Sequence, residues 1–448
     1  MNQTEKLILN EIRGFFLTNL HGFVRIRKIL IREESFMHIQ RIQVPDFRVL
    51  KNIDITFEKD FSPRIFPLGS QNGGGKSTLL QLIFTLLHCP TYSERLTFLK
   101  NILRGFKINE NEKTRELAIV DIWDGEKTVK LEFFSTKIDV GEILPVNMTY
   151  KEFLGHYRLN EMNSTHFFND EDVENYISTK ISEEIQTYKE NLIYINNYYS
   201  RSNDAILTLF CEITNLDKNQ TTSFFENLSQ KIFLAAPSDQ VFLFLPQESK
   251  KLLFTKKADK DDNKQVNNYY SALKDAKSDL KGFFTYDFFA TDIFIEMFQN
   301  ARDKDFEEAV KTGVYGNHYN MLLNELNSLL TNKKVNVTPD LSGVVFTEER
   351  DGKTIELEPE DLSHGELKRL SIYMWLRHRK IEDAIVLMDE IENGFHPDGQ
   401  YQIISDLEEW APNNHYILAT HSYHVCEALT PRHVKELEPK LLTNQPSD

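Results

Sequence analysis

Cysteine is scarce: Cys89, Cys211 and Cys426 are the only three in 448 residues. So few, so widely spaced, they fit neither a disulfide framework nor a cysteine-rich zinc site. Long apolar runs are missing as well. No stretch approaches the roughly 20 residues that span a bilayer. The N-terminus lacks the apolar core and small-residue cleavage site of a secretory signal. These absences predict a cytoplasmic protein with no membrane partner. Positive charge is short: 52 Lys and Arg stand against 68 Asp and Glu, a net charge of −16. That balance counts against a general grip on DNA or RNA, which needs basic surface to displace counterions, and it favours a protein partner. It leaves room for a local basic groove. The remaining composition, 40% hydrophobic and 27% charged, is that of a globular chain with about two to three domains.

Against these absences stands one glycine-rich turn, Gly69-Ser70-Gln71-Asn72-Gly73-Gly74-Gly75-Lys76-Ser77-Thr78. It follows the short apolar run 64–68 and precedes Leu79-Leu80-Gln81-Leu82-Ile83-Phe84, which reads as a helix. Strand, turn and helix are the setting of a phosphate-binding loop. Backbone N–H groups from Asn72 to Thr78 can curl around a phosphate, and the helix N-terminus adds partial positive charge. Lys76 can reach the terminal phosphates and the Ser77 hydroxyl can bind Mg²⁺. Two details depart from the pattern. Ser70 stands six residues before the lysine, where the full motif has glycine, and Pro67 interrupts a run whose N–H groups a central strand would use.

Residues 1–36 are basic and partly apolar, with Leu7, Ile8, Leu9, Ile12, Phe15, Phe16 and Leu20 at helical spacing. They read either as a partner-binding helix or as sequence upstream of a start at Met37. From Met37 the pattern is strand-like: Ile39, Ile42 and Val44, then Val49, Ile53, Ile55 and Phe57. Asp124-Gly125 and Asp351-Gly352 each lie between apolar runs, which signals hairpins. Between 140 and 340 helical patterns dominate. There Val241 to Leu245 reads as a buried strand ended by Pro246, and Lys256 to Gln265 as a solvated loop. The aromatic cluster Phe283 to Phe289 reads as core rather than a base-stacking platform. A helix is expected from about Glu366, then buried strands over 384–388 and 416–419. Strands separated by helices predict an α/β sheet.

The C-terminal third carries a second set of chemical groups. Ile385-Val386-Leu387-Met388 is an apolar strand that ends in Asp389 and Glu390. Asp389 can hold the Mg²⁺ that Ser77 touches, and Glu390 can orient or deprotonate an attacking water. His421, in Thr420-His421-Ser422 after the next strand, can hydrogen-bond a γ-phosphate or that water. Ser363 and Glu366 form a capping box at the start of a helix. The same N-terminus, with Gly365 permitting close backbone approach, is a phosphate-binding device.

Phosphate loop, Leu362-Ser363-His364-Gly365-Glu366, acid pair and histidine, in this order, resemble the ABC-type ATPases of the soluble SMC-like and OLD-like branch. The second element looks like the ABC signature, with His364 in place of the usual second glycine. Asp389-Glu390-Ile391-Glu392-Asn393-Gly394-Phe395-His396-Pro397 is similar to the acid-rich segment of OLD and RecF-like ATPases. Val44 to Leu50 resembles their N-terminal strand, whose arginine, here Arg48, contacts nucleotide. The resemblance covers about 38–85 and 360–425.

It implies an α/β P-loop NTPase: an ABC-type head, a mixed sheet flanked by helices, with a mainly helical middle insertion. The expected division is a helical extension at 1–36, a first ATPase lobe at 37–140, the insertion at 141–340 and a second lobe at 341–448. It implies ATP and Mg²⁺ as cofactors, with hydrolysis to ADP and phosphate. It implies that Ser363 and Gly365 of one subunit close the nucleotide of another, hence a homodimer or higher oligomer. The sequence does not locate the coupling glutamine of the family; Gln247, just after the strand that starts at Val241, is one candidate. OLD nucleases carry a metal-dependent TOPRIM domain after the ATPase, and only 422–448 follow His421 here. A separate nuclease partner is therefore expected, as in the Septu, retron-linked and PARIS anti-phage systems. The absence of long heptads argues against SMC-type arms. A DNA-repair ATPase acting directly on DNA, a transporter subunit, and a nucleotide binder with little turnover are the alternatives. Ser70 and His364 motivate the last.

Overall fold

The computed structural model describes residues 36–71, 73–92, 95–139, 179, 191–199, 205–238, 240, 244–245, 280–286, 291–358 and 361–437. In chain order the strands begin β1 (His38–Phe47), β2 (Leu50–Thr56) and β3 (Ile65–Gly69). Helices α1 (Lys76–His88) and α2 (Leu96–Ile102) follow, then β4 (Thr114–Trp123), β5 (Thr128–Asp139), β6 (Leu192–Tyr199) and β7 (Ala205–Thr214). Next come α3 (Lys218–Gln230), β8 (Ile232–Ala236), β9 (Phe283–Thr285), α4 (Thr291–Thr312) and α5 (His318–Ser328). The chain continues with β10 (Lys333–Val337), β11 (Val344–Arg350), β12 (Lys353–Leu357), α6 (His364–His378) and β13 (Ile385–Asp389). It ends with α7 (Pro397–Trp410), β14 (His415–Ala419), α8 (Tyr423–Glu427) and β15 (Lys435–Glu436). The fold is the expected α/β class, with sheets of both kinds flanked by helices.

Three sheets divide the work. An antiparallel sheet runs β2-β1-β4-β5-β7-β6. Alternation with period two shows in β2, where Ile53 and Ile55 point inward while Asp54 and Thr56 are exposed. Asp124-Gly125 joins β4 to β5, with the Asp124 carboxylate accepting from the N–H groups of Glu126 and Lys127 at 2.8 and 2.9 Å. A parallel sheet runs β15-β3-β14-β13-β8-β9. A small antiparallel sheet is β10-β11-β12, turned between β11 and β12 at Asp351-Gly352, both at positive φ (+51° and +74°) as a tight hairpin turn requires.

Parallel strands buried on both faces need helices on both sides, and the core divides accordingly. Ile385, Leu387, Ile417 and Ala419 face one cluster with α1 and the antiparallel sheet. Val386, Met388, Tyr416 and Leu418 face the other, with α4 to α7. Helix α1 is buried around nearly its whole circumference, from Leu79 through Leu87. At about 1.5–3 kcal/mol per fully buried aliphatic or aromatic side chain, packing rather than intrinsic helix preference holds it.

Pro67 finds its explanation in strand direction. Tyr416 N donates to Arg64 O and Leu437 N donates to Gly69 O, so odd-numbered residues of β3 face β15. That strand pairs only with Leu68 and Gly69, so the missing N–H of Pro67 falls where no ladder bond is required.

Helices are the larger part of the described regular structure between 141 and 340. That region also supplies β6 and β7 to the first sheet and β8 and β9 to the second, strands the sequence did not distinguish. Phe284 of β9 stacks on Trp375 at 4.8 Å and 7°, so the described part of the aromatic cluster is core. Residues 1–35, 241–243, Gln247, 256–265 and 287–289 lie outside the described residues. Among the described residues, no helix is long and apolar enough to cross a membrane.

Candidate functional site

Strands β3, β14 and β13 are neighbours, in register Leu68↔Ala419 and Asp389↔Ala419. Their carboxyl ends therefore deliver three loops to one edge of the sheet, the usual place for a ligand in an open parallel sheet. The glycine-rich turn arrives from β3. Gly73 and Gly75 adopt φ of +82° and +91°, a region costly for any residue with a Cβ. At Gly75 space is also closed, since a Cβ would lie 2.6 Å from Leu50 Cδ2 and 2.8 Å from Val49 Cγ2. The β1–β2 turn thus presses directly on the loop. Gly74, Ser77 and Thr78 lie half-buried at the start of α1, and Asn72 lies outside the described residues.

Lys76 is buried. Its ammonium donates to the Ser70 carbonyl at 3.2 Å and to Ser70 Oγ at 3.1 Å. It also lies 3.3 Å from His421 Nδ1. An ammonium has only protons to give, so in this contact Nδ1 accepts and the imidazole proton sits on Nε2. Ser70, the departure from the motif, is thus a direct partner of the lysine.

From β13, Asp389 is buried and hydrogen-bonded to Ser77. Burial pushes its carboxyl up to about 7; the Ser77 bond opposes this, Glu390 and Glu392 add to it, and Lys76 lowers it. A hydroxyl beside a desolvated carboxylate is a donor pair suited to a hard divalent cation. Among the described residues no group of three or more His, Cys, Asp or Glu could hold a metal by itself, so water and phosphate oxygens would complete such a shell.

Glu390 leaves the strand at φ +49°. Its N–H donates to Ala419 O at 2.9 Å and its Oε2 accepts from the Asn393 amide at 2.6 Å. Glu392, to which sequence reasoning assigns no role, accepts from the His421 backbone N–H through Oε1 at 2.6 Å. It is 93% buried, with Oε2 lacking a hydrogen-bond partner. The loops carrying Glu390 and His421 are therefore tied to each other.

Ser363 caps α6 through the expected capping box, and Glu366 also accepts from Lys333 at 2.8 Å. Gly365 packs on the loop after β13: a Cβ there would lie 3.0 Å from Gly394 O. Among the described residues, the contacts of Ser363 and Gly365 are with these groups and not with the phosphate loop. Arg48, at φ +54°, stands on the turn that covers Gly75, but its guanidinium donates to Ile102 O at 2.6 Å, at the C-terminal end of α2.

Sequence reasoning missed Glu392, Lys368 and Gln240. Gln240 follows β8, the strand beside β13, and its Oε1 accepts from Gln81 of α1 at 2.8 Å. The apolar run Ile232–Ala236 before it was the available signal.

The sequence pattern that defines the AAA ATPase domain matches residues 37–426. None of the curated proteins compared matches. Among solved structures, the chain is similar to the Smc head domain from Pyrococcus furiosus, with an extended coiled coil and bound to the C-terminal domain of ScpA. Identity is 12%, coverage 88% of this chain and 92% of that one, and the TM-score 0.33. It is similar to an Smc head bound to the C-winged helix domain of ScpA, with 10% identity, 87% and 92% coverage and a TM-score of 0.33. It is also similar to the recombination mediator protein RecF of the RecFOR pathway, with 14% identity, 87% and 94% coverage and a TM-score of 0.31.

Proposed function

The chain belongs to the AAA ATPase domain family, and from that premise we propose that it binds and hydrolyses ATP with Mg²⁺ as an ABC-type switch between copies of itself. One observation carries this reading: the phosphate loop, the Ser77–Asp389 pair, Glu390 and His421 converge at the carboxyl ends of β3, β13 and β14. The glycine turn and α1 N-terminus bind the phosphates, and Lys76 neutralises their charge. Ser77 and Asp389 hold the cation, which supplies charge neutralisation at the phosphates when bound. Glu390 takes the proton of the attacking water, and His421 donates from Nε2 to the transferring group. Gln240, in the segment after β8, the strand beside β13, links this edge to the rest of the chain through Gln81 of α1.

Among the described residues, Ser363 and Gly365 contact none of their own phosphate loop, which supports their closing a second copy's nucleotide in a homodimer or higher oligomer. The finer reading is that closure controls a separate effector, a nuclease of the anti-phage kind, and it rests on the motif resemblance. Direct action on DNA is the competing reading. Tight DNA binding that weakens steeply with salt, in the protein alone, would favour it.

The test is nucleotide binding and phosphate release by Lys76→Ala and Glu390→Gln. Lys76→Ala is expected to lose binding. Glu390→Gln is expected to keep it while turnover falls by about 10²- to 10⁴-fold. Unchanged affinity in Lys76→Ala would sink the site.

A further inference from the structure

We propose that Lys368 is a positioning residue for Glu390, a buried ammonium on α6 that fixes the loop carrying the carboxylate and makes its geometry depend on how the α6 N-terminus is seated. The proposal rests on the reading of Glu390 as the group that activates water. Lys368 is 94% buried, on a helix whose first turn carries Ser363 and Gly365. Its Nζ donates to Glu390 O at 2.9 Å and to Asn393 O at 3.0 Å. The Asn393 amide donates in turn to Glu390 Oε2 at 2.6 Å. One ammonium therefore sets both the backbone of Glu390 and, through Asn393, the direction of its side chain.

The loop needs such a hold. Glu390 is a non-glycine residue at φ +49°, a conformation that persists only where the surroundings impose it. The ammonium is itself seated, 4.0 Å from the centre of the Tyr286 ring and 5.6 Å from that of Phe395. The Tyr286 hydroxyl is anchored on Ala235 O at 3.0 Å. Its placement is defined by β8, β9 and α6 together. Between α6 and the loop there is no slack, because a Cβ on Gly365 would meet Gly394 O at 3.0 Å and Phe395 Cδ1 at 3.2 Å. A shift of the first turn of α6 moves Lys368 and with it the two carbonyls. Engagement of Ser363 by another copy's nucleotide is thereby transmitted to Glu390 in the same chain.

The experiment compares Lys368→Met, which keeps the stem and removes the charge, with Lys368→Arg, in steady-state ATP turnover and in equilibrium binding of Mg-ATP. Lys368→Met is expected to lower kcat by about 10- to 100-fold while nucleotide affinity stays within about twofold, and Lys368→Arg to recover part of the rate. A role in stability alone would lower the melting temperature with kcat unchanged in the folded fraction. If Lys368→Met turns over at the parental rate while Glu390→Gln is inactive, the positioning role is overturned and the hydrolysis reading stands. If Glu390→Gln itself turns over normally, the hydrolysis reading falls first. Should Lys368→Met not fold, Asn393→Ala reads the second half of the linkage: reduced kcat at unchanged affinity is expected, and an unchanged kcat overturns the proposal.

Discussion

The surroundings of Asp389 change its chemistry. Its carboxyl, pushed up to about 7 mainly by burial, binds a proton in the folded chain that the unfolded chain releases near pH 4. The stability this contributes is present at pH 4 and lost as pH rises through about 7. At pH 8 the folded chain holds a desolvated charge. Asp389→Asn is therefore expected to melt higher than the parent at pH 8, by roughly 1–2 kcal/mol or a few degrees, and alike at pH 4. The same variant is expected to lose Mg²⁺-dependent nucleotide binding. Thermal melts at both pH values, with and without Mg-ATP, check both halves. The candidate chemical groups were legible here because Gly-Lys-Ser-Thr and the acid pair are runs of consecutive residues. Glu392 was not, since a carboxylate three residues after a strand says nothing about a backbone N–H twenty-nine positions away.

At the scale of elements, the two large sheets meet at histidines. His415 of β14 is buried against Phe66, Phe57 and His38 of β1, at centroid distances of 5.1, 5.5 and 5.9 Å. Nε2 of both His415 and His38 lacks a hydrogen-bond partner. Burial holds the pKa of both below the usual imidazole value, with neighbouring cationic charge adding to this. Keeping them neutral contributes stability that is present above about pH 6.5 and lost as pH falls below it. This runs opposite to Asp389. His415→Phe is expected to flatten the decline in unfolding midpoint between pH 7 and 5 relative to the parent, measured by denaturant titration. Period-two strands and both Asp-Gly hairpins were legible because alternation and turn chemistry are local. Strands β6 to β9 were not. They lie in a region of helical patterns, and their pairing with β5, β13 and one another is decided by residues far away in the chain.

At the scale of the whole molecule, the question is how many copies make a site. Ser363 lies on α6 and Lys76 on α1, on opposite faces of the parallel sheet with separate cores. Glu390→Gln with Mg-ATP is expected to accumulate a larger species by light scattering. Adding Ser363→Arg is expected to return it to the smaller one while nucleotide affinity is kept. A single species under all conditions would overturn the shared site.

The sequence by itself determined what depends on adjacent residues: a glycine turn able to bend around phosphate, a lysine and hydroxyl after it, two acids ending an apolar strand, a capped helix, and the α/β class that follows from their alternation. Only the tertiary structure decided which groups act on one another. Lys76 meets Ser70 and His421, Glu392 holds the His421 loop, and Lys368 grips the carbonyl of Glu390 because β3, β14 and β13 lie side by side in one register, with α6 packed on the loop that leaves β13. Strand order and register are set by burying both faces of that sheet at once, a condition on the whole chain that no short stretch of it contains.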